Sequence, residues 1–404
     1  MFYPGNAFSL ESGLYWAVRS RGDRDREVVS IKDIERGVAS FPIIEADDRA
    51  IGDTNFFNDW LLNQHNDAYW EAIDGTNRTH SLQAPVLLMA GWFDPFLPTQ
   101  INDFTNILNH AKDDVASETR LIIGPWAHAR DVMLPDAHQA SPYRRESIVP
   151  SITWFDYQLS MSKNPLNMSR VKLFVMGENR WRDENEWPLA RTQYTSFYLH
   201  SNGAANSLDG DGLLNTAVPK GEETPDTYTY NPLDPVPSAG GAMLGPRSGV
   251  RLQNTIESRS DILVYTTTIL SDPVEVTGPV STILYVSTDV PSTDFTAKLV
   301  DVHPDGRAYN VCDGILRRDY KPTQNSEKIP VKIDIDLWPT SHVFQKGHRI
   351  KFEISSSNFP RFDRNTNTGA FMPTASETVT ANQTIFHSRQ YPSRLILPII
   401  PRPQ

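Results

Sequence analysis

The N-terminal region has apolar residues spaced three and four positions apart, which is the spacing of one face of an α-helix. Residues 13–19 and 55–73 both show this spacing. Asp53 or Thr54 stands just before the second segment, and either side chain would cap a helix there. The pattern therefore predicts a helical layer at the start of the chain.

The next part of the chain mixes two patterns. Uninterrupted apolar runs at 84–91 and 120–125 are typical of strands buried on both faces, as in a parallel sheet. Helical spacing returns at 100–111 and again at 147–159. Strand, helix, strand, helix indicates an α/β architecture with crossover helices. The sequence supplies about two strands of such a sheet, fewer than a doubly wound domain requires.

From about Val171 onward, apolar and polar residues alternate in short segments separated by Gly, Pro, Asn and Asp. The segments are 171–176, 195–199, 262–268, 280–287, 296–302, 331–337 and 349–355. Many short alternating strands with turn residues between them favour a β-sandwich or jelly roll. Residues 201–249 are rich in Gly, Pro, Asn and Ser and are predicted to be a long irregular connection.

Charge and composition exclude several kinds of partner. The chain has 38 basic and 49 acidic residues, a net charge of −11, and no basic cluster, so neither nucleic acid nor an anionic membrane surface is expected as a partner. The apolar runs are far shorter than the roughly 20 residues of a membrane helix. The single cysteine, Cys312, excludes an internal disulfide and fits a reducing compartment, so we expect a cytoplasmic protein. The sequence leaves the oligomeric state open.

Two polar residues follow the two predicted parallel strands. Asp94 comes directly after the run that ends in Gly91-Trp-Phe, and His128 follows Gly124-Pro-Trp-Ala. Ligands bind at the carboxyl ends of parallel strands, so both side chains are expected at the functional edge of the sheet. An aspartate that orients a histidine supplies two members of a nucleophilic triad, and this chain order is that of α/β-hydrolases. Alternatively, Asp94 caps the following helix and His128 is an ordinary loop residue.

The third member of such a triad would be a serine on a Gly-x-Ser-x-Gly turn, because this sharp turn needs small neighbours. None of the 22 glycines is followed two positions later by serine or cysteine. Triad order would place the missing serine before Asp94.

Neither a metal nor an organic cofactor is predicted. Five histidines are scattered without ligand spacing: His65, His80, His110, His138 and His200. His342 and His348 are close in sequence and are expected on the surface of a hairpin. There is no glycine-rich phosphate loop.

Several longer segments resemble the family of cocaine esterase, α-amino-acid ester hydrolase and X-Pro dipeptidyl-peptidase-like serine hydrolases. They are Gly-Trp-Phe-Asp-Pro-Phe-Leu at 91–97, Leu-Ile-Ile-Gly-Pro-Trp-Ala-His at 121–128, Trp-Phe-Asp-Tyr-Gln-Leu at 154–159, and the stretches 171–188, 334–350 and 354–363. The likeness extends over essentially the whole chain.

The resemblance implies an α/β-hydrolase domain with an inserted helical cap, followed by a jelly-roll domain. On this chain the cap remnant would occupy 1–80, the C-terminal part of the α/β-hydrolase domain 81–165, and the jelly-roll β-sandwich 166–404. It also implies that Asp94 is the acid and His128 the base of the triad, and that Trp16 and Phe96 line an acyl pocket.

The resemblance implies a serine hydrolase of small-molecule esters or amides that works through an acyl-enzyme. The family's serine elbow lies upstream of the cap, and its oxyanion hole uses the backbone N–H after that serine and a tyrosine hydroxyl. This chain starts inside the cap, so we expect a fragment that is inactive alone. The alternative is a non-catalytic binding module whose jelly roll binds a carbohydrate or a protein partner.

Overall fold

The computed structural model describes residues 2–20, 30–64, 68–137, 143–161, 165–320 and 329–402. The α-helices are α1 (Leu10–Ser20), α2 (Ile31–Val38), α3 (Ala46–Ala50), α4 (Asn55–Leu62), α5 (Ala68–Glu71), α6 (Leu97–His110), α7 (Asp113–Glu118) and α8 (Tyr143–Gln158). The strands are β1 (Leu87–Phe93), β2 (Arg120–Ala127), β3 (Val171–Val175), β4 (Arg180–Glu184), β5 (Gln193–His200), β6 (Leu213–Asn215), β7 (Asp226–Tyr230), β8 (Leu263–Thr266), β9 (Val274–Thr288), β10 (Ser292–Val302), β11 (Ala308–Asp319), β12 (Val331–Phe344), β13 (Arg349–Ser355), β14 (Ala381–Phe386) and β15 (Arg394–Ile400).

The helices α1 to α4 form the predicted N-terminal layer around a small apolar core that includes Phe8, Leu14 and Phe57. The single helix expected over 55–73 is wrong, since α4 ends at Leu62 and α5 is a separate turn. Asn63 leaves the helical conformation and its side-chain amide donates to the carbonyl of Asp59, which ends α4. Thr54 does precede α4, but its side chain makes no capping bond.

The first sheet has the strand order β1-β2-β3-β4. β1, β2 and β3 run parallel, whereas β4 is antiparallel to β3. The α/β architecture is therefore present, with one more parallel strand than predicted. The sequence predicts β3 in the all-β region because apolar and polar residues alternate there, yet the strand pairs in parallel with β2. The domain limits inferred from sequence remain predictions.

The second sheet follows the order β11-β10-β13-β8-β6-β5-β15-β9-β14-β7, and β12 pairs with β9. It forms the predicted β-sandwich around a large apolar core. The stretch 201–249, expected to be irregular, contains β6 and β7. β7 alternates buried and exposed residues and places Tyr228 and Tyr230 in the core. Residues typical of turns flank this strand on both sides, so the sequence pattern did not predict it.

Backbone and side-chain contacts join the three regions. The N–H of Met176, just after β3, donates to the carbonyl of Ser341 on β12 (3.0 Å), and the N–H of Val343 donates back to Met176 (2.8 Å). At the helical layer, the Nε of Arg247 donates to Glu11 of α1 at 2.8 Å, and the Phe8 N–H donates to Asp363 at 3.0 Å. The sandwich therefore supports both the parallel sheet and the helices.

One surface of the parallel sheet region is apolar and uncovered. The predicted helix at 147–159 is present as α8, but its apolar stripe faces solvent: Ile148, Ile152, Phe155 and Leu159 are 53%, 56%, 53% and 67% exposed. Within the described residues, β1 pairs with β2 on one side and with no strand on the other. An uncovered apolar stripe beside an open sheet edge promotes association.

The apolar runs of the sequence are too short to predict a membrane-spanning helix. Within the parts of the chain listed above, no helix combines the length and the apolar character that crossing a bilayer demands.

We expect the 404-residue chain expressed alone to aggregate, and the sandwich, from about Ser169 onward, to be its most protease-resistant part. Replacing Ile152 and Phe155 of α8 with Gln should lower aggregation, because it removes part of the uncovered apolar stripe. Light scattering after size exclusion measures the aggregation, and limited proteolysis measures the protease resistance of the sandwich. Leu208→Gln, which alters an exposed apolar residue of the sandwich, is the matched control. A parent chain that is monomeric and fully protected would contradict the expectation.

Candidate active site

Asp94 is held at the end of β1 by hydrogen bonds to its own neighbours. Its N–H donates to the carbonyl of Gly91 and its carbonyl accepts from Leu97, both at 3.0 Å. Its Oδ1 accepts the N–H of Phe96 at 2.9 Å, at the start of α6. Oδ1 thus fixes the turn that leads into α6, but it does not cap that helix, whose N-cap Phe96 has no side-chain capping bond; Oδ2 stays available.

His128 stands on a tight turn directly after β2. The N–H of Ala127 donates to the carbonyl of Arg130 at 3.1 Å, and the N–H of Arg130 donates back to Ala127 at 3.3 Å. Ala129 has a positive φ of 52°. The turn lifts the imidazole off the sheet, so its side chain is 43% exposed whereas that of Asp94 is 11% exposed.

Parallel pairing brings these two turns together. Gly91 is opposite Gly124, and after an irregularity in register Phe93 is opposite Ala127. A Cβ on Gly91 would lie 2.1 Å from the carbonyl oxygen of Trp126, so this close approach requires glycine. The result is a contact of 3.1 Å between His128 Nδ1 and Asp94 Oδ2. The structure therefore brings together the two residues that the sequence selected.

The electrostatics of the pair favour a protonated imidazole. The hydrogen bond to Asp94 raises the pKa of His128 above its ordinary value, while burial and the charge of Arg19 act in the opposite direction. Because this pKa is raised by folding, the contact stabilises the fold below the unfolded pKa, and this contribution is lost as pH rises through the folded pKa. The exposure of His128 makes that contribution small. With Nδ1 on Asp94, Nε2 is on the opposite side of the ring, free to exchange a proton.

Aromatic side chains flank the histidine. The ring of Phe96 lies 5.1 Å from that of His128, tilted by 48°. Trp16, on α1, is 43% exposed. Arg19 lies one turn further along α1 on the same helix face, and its charge acts on His128, so the end of α1 faces the site. Trp92 and Trp126 stand two residues before Asp94 and His128, respectively, in the sequence, but both are buried in the core.

A cleft of about 710 Å³ runs beside Pro95 and Pro98 at the start of α6, between the helical layer and the sandwich. Neither Asp94 nor His128 lines it. Within the described residues, neither His128 nor Asp94 belongs to a cluster of side chains that could bind a metal ion.

A serine–histidine–carboxylate cluster lies inside the sandwich, away from Asp94 and His128. The sequence pattern did not predict it, because its members are far apart in the chain. Ser201 Oγ is 3.1 Å from His387 Nε2, and His387 Nδ1 is 3.0 Å from Glu223. Asp226 also accepts from Nε2 at 3.0 Å. Burial lowers the pKa of His387, but the hydrogen bonds and charges of the two carboxylates outweigh it and raise the pKa. Ser201 Oγ itself donates to Asp226 Oδ2 at 2.7 Å, so its proton is directed at a carboxylate and not at His387.

Two family models together span most of the chain. One described as X-Pro dipeptidyl-peptidase (S15 family) matches residues 1–130, and one described as X-Pro dipeptidyl-peptidase C-terminal non-catalytic domain matches residues 167–396. Cocaine esterase from Rhodococcus sp. (strain MB1 Bresler) is 38% identical over an alignment 435 positions long, gaps included, which covers 99% of this chain and 73% of that protein.

Solved structures show the same fold. An aminopeptidase from a marine sediment Thaumarchaeota archaeon superposes with a TM-score of 0.80 at 23% identity, over 99% of this chain and 70% of that one. An α-amino acid ester hydrolase gives a TM-score of 0.79 at 20% identity, over 98% of this chain and 70% of that one. At these identities the two structures bear on the fold alone.

The fold, an α/β sheet joined to a β-sandwich, is that of α/β-type hydrolases, and Asp94 and His128 are in contact at its strand ends. The chain belongs to the X-Pro dipeptidyl-peptidase (S15) and cocaine esterase family, whose members are serine hydrolases of esters or peptides. The resemblance and the fold class inferred from sequence are confirmed. The matched families imply small-molecule substrates.

Asp94→Asn should lower the pKa of His128, because the substitution removes the negative charge and weakens the acceptor that raise it. Imidazole ¹H–¹⁵N spectra recorded across a pH series measure this directly. Asp113→Asn, at the exposed start of α7, changes the same charge elsewhere and should leave the titration of His128 as it is. An unchanged titration in Asp94→Asn would disprove the contact in solution.

Proposed function

We propose that the chain is the acid- and base-bearing part of a serine hydrolase of esters or amides, with Asp94 as the orienting acid and His128 as the general base. The observation that carries the proposal is the 3.1 Å contact between Asp94 Oδ2 and His128 Nδ1 at the carboxyl ends of two adjacent parallel strands. Membership of the family supports the reaction class.

The mechanism follows from this geometry. His128 Nε2 takes the proton of a serine hydroxyl as the serine oxygen attacks the substrate carbonyl carbon. Asp94 keeps Nδ1 protonated and stabilises the imidazolium that forms. The imidazolium then protonates the departing alcohol or amine, which leaves an acyl-enzyme. A water molecule, deprotonated by the same nitrogen, hydrolyses this ester and regenerates the serine.

The nucleophile, on this proposal, lies outside these 404 residues. No glycine of the chain begins a Gly-x-Ser motif, and the chain order of α/β-hydrolases puts the serine before the acid. The open edge of β1 and the exposed apolar stripe of α8 are the surfaces that further strands and helices of an α/β sheet would cover. The oxyanion donors would come with the same segment, and no metal or organic cofactor takes part.

The acyl group of the substrate would lie between Trp16 and Phe96. Phe96 touches the histidine ring, and Trp16 is a large, partly exposed aromatic on the helix whose end faces His128. Two flat apolar surfaces beside the base suit an aromatic or branched acyl group better than an acetyl group.

The chain alone should not react with a serine-directed fluorophosphonate and should show no burst of ester hydrolysis. General-base assistance to water is worth only about 10²–10⁴-fold, and without an oxyanion hole a further ~10²–10³-fold is lost. Joining the chain in frame to an upstream segment that carries a Gly-x-Ser-x-Gly turn should restore both. Mass spectrometry of the labelled protein and stopped-flow kinetics measure the outcome.

In that extended protein His128→Ala should abolish turnover, and Asp94→Asn should lower kcat by about 10⁴-fold, because the imidazole loses its correct tautomer. His110→Ala, an exposed histidine at the end of α6, is the control and should keep full activity. Stoichiometric labelling of the 404-residue chain at one of its own serines would refute the proposal. So would normal turnover in His128→Ala, which would leave a binding module as the better account.

Trp16→Ala and Phe96→Ala in the extended protein should raise KM for aromatic-acyl esters about 10- to 150-fold, the effect of losing roughly 1.5–3 kcal/mol of apolar contact. Acetyl esters should be affected far less, because their acyl group does not reach both rings. Phe371→Ala, which truncates an exposed phenylalanine of the sandwich, should change neither value. Equal effects on both esters would make the two aromatics part of the core.

A further inference from the structure

Three imidazoles surround one buried carboxylate where the sandwich meets the loop that follows His128. Asp301, near the end of β10, accepts from His342 Nε2 at 2.9 Å and from His348 Nδ1 at 2.8 Å. His303 Nε2 lies 3.8 Å from the same carboxylate. The expectation that His342 and His348 lie on a hairpin surface is therefore wrong, because both turn inward toward Asp301.

The orientation of His303 is that of a metal ligand. Its Nδ1 lies 3.2 Å from Asp136 Oδ2, on the loop that leads away from His128. A histidine that binds a metal usually directs its other ring nitrogen at a carboxylate, which fixes the tautomer and the ring plane. Here that contact directs Nε2 toward Asp301, at 3.8 Å. His342 is not one of the proposed ligands, but its hydrogen bond to Asp301 would help to hold that carboxylate in place.

The donor atoms are close enough for a single ion. One atom each of Asp301, His303 and His348 lies within 4.8 Å of the other two. Four-coordinate zinc has bonds of about 2.0–2.2 Å to nitrogen and oxygen, which places its ligand atoms about 3.4 Å apart. His348 Nδ1 lies 2.8 Å from Asp301 Oδ1, and His303 Nε2 lies 3.8 Å from Asp301 Oδ2, so the two separations lie on either side of that value. Binding would need the carboxylate to turn so that one oxygen faces both imidazoles, and the ligand atoms to move from at most 4.8 Å apart to about 3.4 Å.

We propose that Asp301, His303 and His348 bind one Zn²⁺ ion. Two imidazoles and a carboxylate favour zinc or a similar transition metal over Mg²⁺ and Ca²⁺, which prefer oxygen ligands. The fourth position opens into a cavity of about 100 Å³ lined by Phe93, Met176 and Tyr309, large enough for a water ligand.

Such an ion would join two domains. His303 and His348 belong to the sandwich, whereas Asp136, which orients His303, lies on the loop eight residues after His128. Zinc would displace the proton that His348 now shares with Asp301 and would fix His303 against both carboxylates. Its role is structural: it holds the loop behind the proposed base against the sandwich. The inference does not depend on the proposed hydrolase function.

The test uses the dilute 404-residue chain, stripped with a chelator and dialysed against Zn²⁺, with bound metal measured by mass spectrometry. We expect one zinc per chain, and with Co²⁺ as the probe the intense visible absorption of a tetrahedral site. His303→Gln and His348→Gln should each weaken binding at least about 100-fold, and Asp136→Asn about 10- to 100-fold. His110→Gln, an exposed histidine elsewhere, should bind as the parent does.

Melting temperatures separate loss of metal from loss of fold. Zn²⁺ should raise the melting temperature of the parent and of His110→Gln but not that of His303→Gln. If a variant does not fold, the cobalt spectrum of the unaltered chain decides. No stoichiometric binding, a spectrum of octahedral type, or unchanged affinity in both ligand variants would overturn the proposal. The cluster would then be a hydrogen-bond network in which the imidazoles alone balance the charge of Asp301.

Discussion

The parallel pairing of β1 with β2 is the contact on which the proposed chemistry depends. It places two chain turns side by side at one sheet edge, and the glycines at 91 and 124 let the strands approach where Trp126 folds across them. Neither turn alone would orient a histidine. Once the strands are paired, the side chains of Asp94 and His128 are already adjacent. Both are short, so little side-chain conformational entropy is lost in forming the contact.

Support for this edge comes from outside the sheet. The helical layer is anchored to the sandwich through Glu11 with Arg247 and through Phe8 with Asp363, and the charge of Arg19 in the last turn of α1 acts on His128. The sandwich thus holds α1, which carries the proposed pocket residue Trp16, although it contributes none of the proposed catalytic groups. On the opposite side, the apolar stripe of α8 remains in water.

Sequence reasoning reached the pair because its signal is local. A buried strand followed at once by an aspartate, and another followed by a histidine, are visible within a few residues. The same reasoning failed where the decisive contact is distant in the chain. β3 alternates like an antiparallel strand, and only its pairing with β2 shows which sheet it joins. His303 follows Asp301 by two residues, whereas His342 and His348 come from the region where β12 ends and β13 begins, and no local pattern shows that these two segments meet.

The backbone link between Met176 and β12 has a consequence for recombining parts of related hydrolases. β3 and β4 lie in the parallel sheet, yet the residue between them hydrogen-bonds to Ser341 and Val343 of the sandwich. A crossover placed at residue 166 would take β3 from one parent and β2 from the other, and so would split a sheet between two sequences. A crossover after β4, at about residue 185, would keep that sheet intact and would expose to mismatch the contacts that Met176, Gly177 and Arg182 make with the sandwich.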